Sequence, residues 1–236
     1  MKVILDHKEP INHSVTTFWF RPPGRVDYTA GQFIEMTLPH KNPDERGIKH
    51  WFTLSSSPSE PLVSITTKYA GDKGSSFKRT LFSLKPGDEI QMSDPMGDFV
   101  LPKDKTIPLV FVAGGIGVTP FHSMVKWLID TKETRDIQVI LAAATPKDTV
   151  FKELFESYAI KPIVVISKAP PSWKGETGQL TGQRILALIG GAHGKRLYIS
   201  GPEPMVEALE KDIENLGVSK DQFVGDFFPG YSKDLS

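Results

Sequence analysis

A glycine-rich turn sits between a short apolar run and an amphipathic helical pattern near the middle of the chain. Residues 108–113 read as a buried strand, and from residue 119 apolar side chains recur at helical spacing. Glycines at such a turn let the backbone approach a phosphate, and the helix start offers amide hydrogens and a partial positive charge. The segment therefore predicts a nucleotide-binding turn, with a tight strand-to-helix connection as the alternative. The residues that carry this prediction are Gly114, Gly115, Gly117, Thr119 and Pro120.

The alternation of strands and helices continues toward the end of the chain. Apolar runs at 137–143, 163–166 and 196–200 read as strands, with helical patterns between and after them. This order predicts an α/β domain with a doubly wound parallel sheet and helices on both faces. Because strands of such a sheet end at one edge, the turn after 196–200 should face the same crevice as the glycine turn; taken alone, it reads as a helix cap. This second turn contains Ser200, Gly201, Pro202 and Met205.

The first 104 residues show a different pattern. Short segments rich in β-branched and aromatic residues are separated by clusters of Pro, Gly and Asp, with one short helical pattern at about 75–83. Five or six strands at this spacing predict a small antiparallel β-barrel. Because the pattern changes near residue 104, we expect two domains, a β-barrel at 1–104 and an α/β domain at 105–236.

Composition and charge exclude several functional classes. Lys plus Arg and Asp plus Glu both number 28, so no net charge attracts nucleic acid, and the histidines show no metal-ligand spacing. The chain has no cysteine, so a cysteine-ligated iron–sulfur cluster would have to belong to a separate partner. The longest apolar run, 107–121, is shorter than the roughly 20 residues that span a bilayer, and the N-terminal residues lack a signal-peptide core. We expect a cytoplasmic protein without a transmembrane segment; its oligomeric state stays open.

Several motifs occur together and in a fixed order. Residues 28–33 enter the barrel, residues 50–58 form an aromatic and hydroxyl-rich strand, and residues 71–77 form a glycine and serine loop before the short helix. Residues 95–99 close the barrel, and the two turns of the α/β half complete the set. In order and spacing the chain resembles the ferredoxin-NADP reductase superfamily along its whole length. The resemblance implies a flavoprotein oxidoreductase with one domain for flavin and one for a nicotinamide dinucleotide.

This resemblance implies roles for residues of the barrel. Phe52 is expected to lie against the flavin ring, and the Thr53 hydroxyl to hydrogen-bond near flavin N5 and O4, which makes Thr53 a catalytic candidate. His50 stands where the superfamily has a phosphate-binding arginine, so it is expected either to bind the flavin phosphate or to cap the strand. The other expected flavin-binding residues are Trp51, Thr66, Thr67, Lys68 and, around the phosphate, Gly74, Ser75 and Ser76.

Two further segments bear on the nicotinamide site. In the superfamily a late aromatic residue covers the flavin face that nicotinamide reaches; Phe228 is the candidate for this catalytic position, with ordinary core packing as the alternative. NADPH-dependent members place an arginine near Ala144 to pair with the 2′-phosphate, and alanine offers no such pairing. Ala144 and Thr145 are therefore expected to line the site of an NADH-dependent protein, unless Lys147 or Arg184 replaces the arginine.

The implied function is hydride transfer from NADH or NADPH to bound FAD, with electrons passed to a separate acceptor such as ferredoxin, flavodoxin or another carrier. FAD is the favoured flavin, because the start of the short helix can hold a diphosphate as well as a monophosphate, and FMN is the less favoured alternative. Two alternatives stay open: a free-flavin reductase of the same superfamily, and a non-catalytic flavin electron-transfer subunit of a larger complex. None of these functions is expected to use a metal site in this chain.

Overall fold

The first half of the chain forms strands whose side chains alternate between a buried and an exposed face. The computed structural model describes residues 1–69, 71 and 74–228. Its first sheet is antiparallel, in the order β4-β3-β6-β1-β2-β5, and a bridge between Leu54 and Ile65 joins its two edges into a barrel. These strands are β1 (Lys2–Pro10), β2 (Val15–Arg21), β3 (Phe33–Thr37), β4 (Lys49–Thr53), β5 (Val63–Lys68) and β6 (Glu89–Met92).

A short helix closes one end of the barrel. Helix α1 (Ser76–Ser83) buries Phe77 and Leu81 in the barrel core, where they meet the inward side chains of the strands. The Ser75 hydroxyl caps the helix by accepting a hydrogen bond from the backbone N–H of Lys78 at 3.1 Å. The helix start is therefore fixed both by its cap and by apolar packing beneath it.

The second half forms a sheet in which all strand pairs are parallel, in the order β10-β9-β8-β7-β11-β12. From β7 the chain first builds the sheet toward β10 and then returns to place β11 on the other side of β7. The strand order therefore reverses between β7 and β11, which is where such sheets bind ligands. The strands are β7 (Leu109–Gly114), β8 (Ile137–Ala143), β9 (Ile163–Ile166), β10 (Glu176–Thr177), β11 (Arg196–Ser200) and β12 (Phe223–Asp226).

Helices cover both faces of this parallel sheet. Apolar residues of the first two helices, such as Phe121 and Phe155, pack on one face, and those of the last two, such as Ile185 and Leu209, pack on the other. The helices are α2 (Thr119–Thr131), α3 (Lys152–Ser157), α4 (Gly182–Ile189) and α5 (Glu203–Asn215). The predicted fold class, a β-barrel followed by a doubly wound α/β sheet, is confirmed.

Helix α2 also joins the two halves. The Ser123 hydroxyl donates to the Ser56 carbonyl at 2.6 Å, and His122 Nδ1–H donates to the Ser55 carbonyl at 2.7 Å. Phe99, which follows the barrel, packs its ring against Phe121. The barrel strands end at Met92 and the parallel strands begin at Leu109, so the boundary predicted at residue 104 falls in the connecting segment.

Candidate functional site

A cavity of about 680 Å³ lies between the barrel and the carboxyl ends of the parallel strands. It is large enough for a small organic ligand and is lined from both sides. The predicted site residues that line it are Trp51, Phe52, Thr53, Thr66, Thr67, Lys68, Gly114, Gly115, Gly117, Thr119, Ala144, Ser200, Gly201, Pro202, Met205 and Phe228. The predicted residues outside its lining are His50, Gly74, Ser75, Ser76, Pro120 and Thr145.

The two turns predicted from the sequence meet at the point where the strand order reverses. A Cβ atom added at Gly117 would lie 2.3 Å from the Ser200 carbonyl oxygen, and one added at Gly114 would lie 2.5 Å from Met205. Only glycine permits so close an approach of the two turns. At Gly115, which has φ of +54° and lines the cavity, an added Cβ would meet no protein atom within 4 Å. This turn therefore presents open space beside a helix start, as a dinucleotide phosphate requires.

The barrel wall of the cavity combines aromatic rings with hydroxyl groups. Phe52 is buried at 7% exposure, whereas Trp51 on the same strand is 39% exposed. Phe228, two residues after the end of β12, lies against Phe33 and Trp51 with ring centroids 5.4 Å and 6.2 Å away. Together with the Thr53 hydroxyl, these rings form the kind of wall that suits a flat conjugated ring with polar edges. The chemistry of this wall therefore fits a flavin.

The hydroxyl and ammonium groups at the end of β5 are held in defined positions. The Thr66 hydroxyl hydrogen-bonds to those of Thr17 at 2.8 Å and Ser55 at 2.9 Å, inside the barrel. Lys68 reaches across the cavity and forms an ion pair with Asp148 at 3.7 Å. Because the Thr66 hydroxyl is used in these hydrogen bonds, the backbone of β5 is the part of the strand that remains available to a ligand. The ion pair between Lys68 and Asp148 connects the two halves of the protein at the cavity.

The residues expected around the flavin phosphate are placed differently from the expectation. His50 is 1% exposed, and its ring stacks on Phe77 at a centroid distance of 4.3 Å. Burial, followed by the charge of Lys78, lowers the pKa of His50 to about 4, so the ring is neutral near pH 7. A neutral buried imidazole cannot act as the cation that the superfamily's arginine provides. The ring instead packs inside the barrel against Phe77, which differs from both the phosphate-binding and the strand-capping positions expected from the sequence.

The start of α1 is already occupied by a carboxylate. The backbone N–H of Ser76 donates to Asp44 at 2.7 Å, and the Ser76 hydroxyl accepts a hydrogen bond from the backbone N–H of Asp44 at 2.9 Å. Hydrogen bonds from Arg46 and Ser76 hold the pKa of Asp44 well below its usual range, against the opposing effect of burial. Asp44 thus takes the place that an anion would occupy at this helix start. The Ser76 groups predicted to bind phosphate are used within the protein.

Five charged residues of the cavity wall were not predicted as site residues. They are Lys78, Asp148, Glu203, Asp212 and Asp226. Asp226 ends β12 beside Ser200, whose hydroxyl donates to its carboxylate at 3.2 Å, and burial raises the pKa of Asp226 to about 6. The parallel pairing of β11 and β12 places Asp226 directly opposite Ser200, a residue that was predicted. This pairing, which becomes evident only in the structure, is what brings Asp226 to the cavity.

Across residues 1–69, 71 and 74–228, no group of three or more His, Asp or Glu side chains is arranged to hold a metal ion. Within that same part of the chain, no helix has the length and apolar character needed to cross a membrane.

Comparison with known proteins extends these observations. Residues 111–211 match the family described as "Oxidoreductase NAD-binding domain". The chain is 29% identical over 235 residues to the glycine betaine monooxygenase reductase subunit of Chromohalobacter salexigens, covering 94% of this chain and 62% of the relative. It is 26% identical to the stachydrine N-demethylase reductase subunit Stc4 of Rhizobium meliloti, with coverage of 97% and 67%. It is 26% identical to NADH-cytochrome b5 reductase 1 of Emericella nidulans, with coverage of 92% and 74%. The chain thus spans roughly two thirds of the length of these relatives.

Solved structures share the two-domain architecture. The FAD/NAD-binding domain of nitric oxide dioxygenase from Vibrio cholerae superposes with a TM-score of 0.81 at 21% identity, covering 96% of this chain and 98% of that one. A ferredoxin NADP⁺ reductase from Neisseria gonorrhoeae, with bound FAD and NADP, also gives 0.81, at 15% identity and coverage of 96% and 97%. At these identities the likeness is one of fold.

Proposed function

We propose that the chain belongs to the ferredoxin-NADP reductase superfamily and that it is an NAD(P)H-dependent flavin oxidoreductase that binds FAD and passes electrons to a separate acceptor. The observation that carries this proposal is the cavity in which the aromatic wall of the barrel faces the two glycine turns of the parallel sheet. A flavin, when bound there, supplies the chemistry, since it accepts a hydride and can release electrons singly or in pairs.

The side chains of the cavity have separate tasks in this proposal. Phe52 and Thr53 hold and orient the ring, with the Thr53 hydroxyl donating a hydrogen bond at its polar edge. Phe228 forms the part of the wall that the nicotinamide must share or displace. Gly115 and Gly117 bring backbone amides to the dinucleotide phosphates at the start of α2. The protein thus positions two rings and excludes water between them.

We further propose that NADH is preferred to NADPH. Ala144 and Asp148 line the cavity after β8, so this wall offers a methyl group and a carboxylate where a 2′-phosphate needs a cation. Arg184 donates to the carbonyl of Thr177 and forms an ion pair with Glu176 at 2.7 Å. Those bonds hold the Arg184 guanidinium at the β10 turn. Lys147 is exposed and is not among the residues that line the cavity.

The electron acceptor is proposed to be a separate protein. Two relatives are named as reductase subunits of a monooxygenase and a demethylase, which supports an oxygenase component or a small carrier that serves one. The 236 residues contain no cysteine, so a cysteine-ligated iron–sulfur cluster in this electron path would lie outside them. The cytoplasmic location stays a prediction from the sequence.

Anaerobic addition of NADH to the FAD-reconstituted protein tests this function. The proposed enzyme loses the visible absorbance of its flavin promptly, with NADH effective at lower concentration than NADPH. A non-catalytic flavin subunit keeps its flavin oxidised under the same conditions. A free-flavin reductase retains no flavin through gel filtration but oxidises NADH at a rate that saturates with added flavin. Failure to bind flavin and to oxidise NADH would refute the proposal.

A further inference from the structure

One cation of the barrel reaches the cavity from an unexpected element. Lys78 is the third residue of α1, and it lines the cavity together with Phe52 and Thr53. Among the residues that the sequence assigned to the flavin phosphate, His50, Ser75 and Ser76 lie outside the lining. Three residues expected to meet the phosphate thus lie outside the cavity lining, whereas this cation of α1 lies within it.

We propose that Lys78 is the residue that pairs with the flavin phosphate in this protein, in place of the arginine position held by His50. This inference rests on the proposed function, because it assigns a ligand to the flavin site. It concerns the phosphate end of the flavin, which the ring-binding residues Phe52 and Thr53 do not determine.

The charge of Lys78 is suited to an anion. Burial, followed by repulsion from Arg46, lowers the pKa of Lys78 to about 8, so the ammonium form is disfavoured by its surroundings. A bound phosphate would offset both effects, because it supplies the opposite charge within the same partly dry space. The phosphate and the ammonium are therefore expected to stabilise each other.

Three further cations of the barrel, on or beside β4 and β5, form ion pairs. Lys49 on β4 is exposed and forms an ion pair with Glu35 at 2.8 Å. Arg46 forms an ion pair with Asp44 at 2.8 Å, on the carboxylate that occupies the start of α1. Lys68 forms its ion pair with Asp148. Of these three cations and Lys78, only Lys68 and Lys78 line the cavity. Lys78 is the one on α1, the helix that follows the glycine and serine loop.

Flavin titrations of the apoprotein test the inference. Dissociation constants for FAD, FMN and riboflavin are measured by flavin fluorescence in the parent and in Lys78→Gln, Lys78→Met and Lys78→Arg. Removing the ammonium should weaken FAD and FMN binding about ten- to a hundredfold, the range of one charge-assisted hydrogen bond. Riboflavin, which lacks the phosphate, should bind the variants and the parent equally, and Lys78→Arg should retain most of the FAD affinity.

The control is Lys49→Gln, which removes the same charge from an exposed site on the neighbouring strand and should leave all three constants unchanged. Parent-like FAD affinity in both Lys78→Gln and Lys78→Met overturns the inference and leaves the proposed function intact. An equal loss for riboflavin also overturns it, because the effect is then on the fold of the ring site. A parent that binds none of the three flavins overturns the proposed function and this inference together.

Discussion

The Ser200 hydroxyl donates a hydrogen bond to the Asp226 carboxylate, 3.2 Å away, where β11 and β12 end side by side. Burial opposes the charge on this carboxylate more strongly than the single hydrogen bond favours it, and the pKa of Asp226 rises to about 6. The cavity therefore contains a carboxyl group that changes its charge near pH 6.

We expect Asp226→Asn to stabilise the protein in a pH-dependent way. A carboxyl with a raised folded-state pKa binds its proton more tightly when folded, so the parent loses stability as the pH rises from about 4 to about 6. The difference between 3.8 and about 6 corresponds to at most about 3 kcal/mol. The melting temperature of the variant minus that of the parent should be small at pH 4, increase to pH 6 and stay constant above it. The exposed Asp27→Asn serves as the control, and a pH-independent difference for Asp226→Asn would refute the assignment.

We expect Gly117→Ala to disrupt the meeting of the two turns. Its Cβ would lie 2.3 Å from the carbonyl oxygen of Ser200, a backbone atom that cannot move without shifting β11. The loss of stability should be about 1–3 kcal/mol, as for overpacked interiors, and NADH affinity should fall with it. Gly24→Ala is the matched control, because its Cβ would meet no atom within 4 Å. Urea denaturation and NADH titration measure the two effects, and parent values for both would contradict the close contact.

Much of the fold was predictable from the sequence because its signals are local. The glycine turn between β7 and α2 and the apolar runs of the parallel strands predicted the α/β sheet and the position of its ligand edge. Strand β1 has no such local signal, because charged residues interrupt its apolar pattern. Only Val3 and Leu5 of this strand are buried. A strand of this kind becomes evident only from its pairing with β2 and β6.

The phosphate end of the site was less predictable because it depends on contacts between distant residues. Alternation along β4 places His50 and Phe52 on one face, but it does not say that His50 packs on Phe77 of a helix further along the chain. The contact of Asp44 with Ser76 likewise joins residues 32 positions apart. Both contacts are set by how β4 and the segment before it pack against α1, for which the sequence holds no local signal.

The burial of His50 argues against replacing it with the arginine that the superfamily has at this position. An arginine there would restore the superfamily's residue, yet it would place a charge in a position that is 1% exposed and packed against Phe77. We expect His50→Arg to destabilise the protein by about 3 kcal/mol or more, the range found for an uncompensated buried charge. Lys49→Arg, on the same strand but exposed, should be neutral. Thermal unfolding compares them, and a His50→Arg variant that is as stable as the parent and binds FAD more tightly would show that the arginine reaches the phosphate.

Phe228 is expected to control access of the nicotinamide rather than retention of the flavin. It lies on Phe33 and Trp51 at the cavity wall, so its removal leaves Phe52 and Thr53 in place. Phe228→Ala should change the rate of flavin reduction by NADH, or the NADH affinity, by about three- to tenfold, the value of one aromatic contact. The FAD dissociation constant should stay within twofold, and Phe228→Tyr should restore parent kinetics. Loss of FAD together with stability would place Phe228 in the structural core instead.

The choice between NADH and NADPH is expected to depend on position 144. Ala144 lines the cavity and offers no donor, and the neighbouring Asp148 carboxylate is fixed by the Thr145 hydroxyl at 2.7 Å and by Lys68. Ala144→Arg adds a guanidinium where a 2′-phosphate would lie, so kcat/KM for NADPH should rise about ten- to a hundredfold while that for NADH changes little. Ala144→Gln, of similar length but uncharged, is the control and should give at most a small gain. Stopped-flow reduction with each nucleotide measures the ratio. A parent that already prefers NADPH, and loses that preference in Lys147→Ala, would show that the exposed Lys147 turns toward the phosphate when the nucleotide binds.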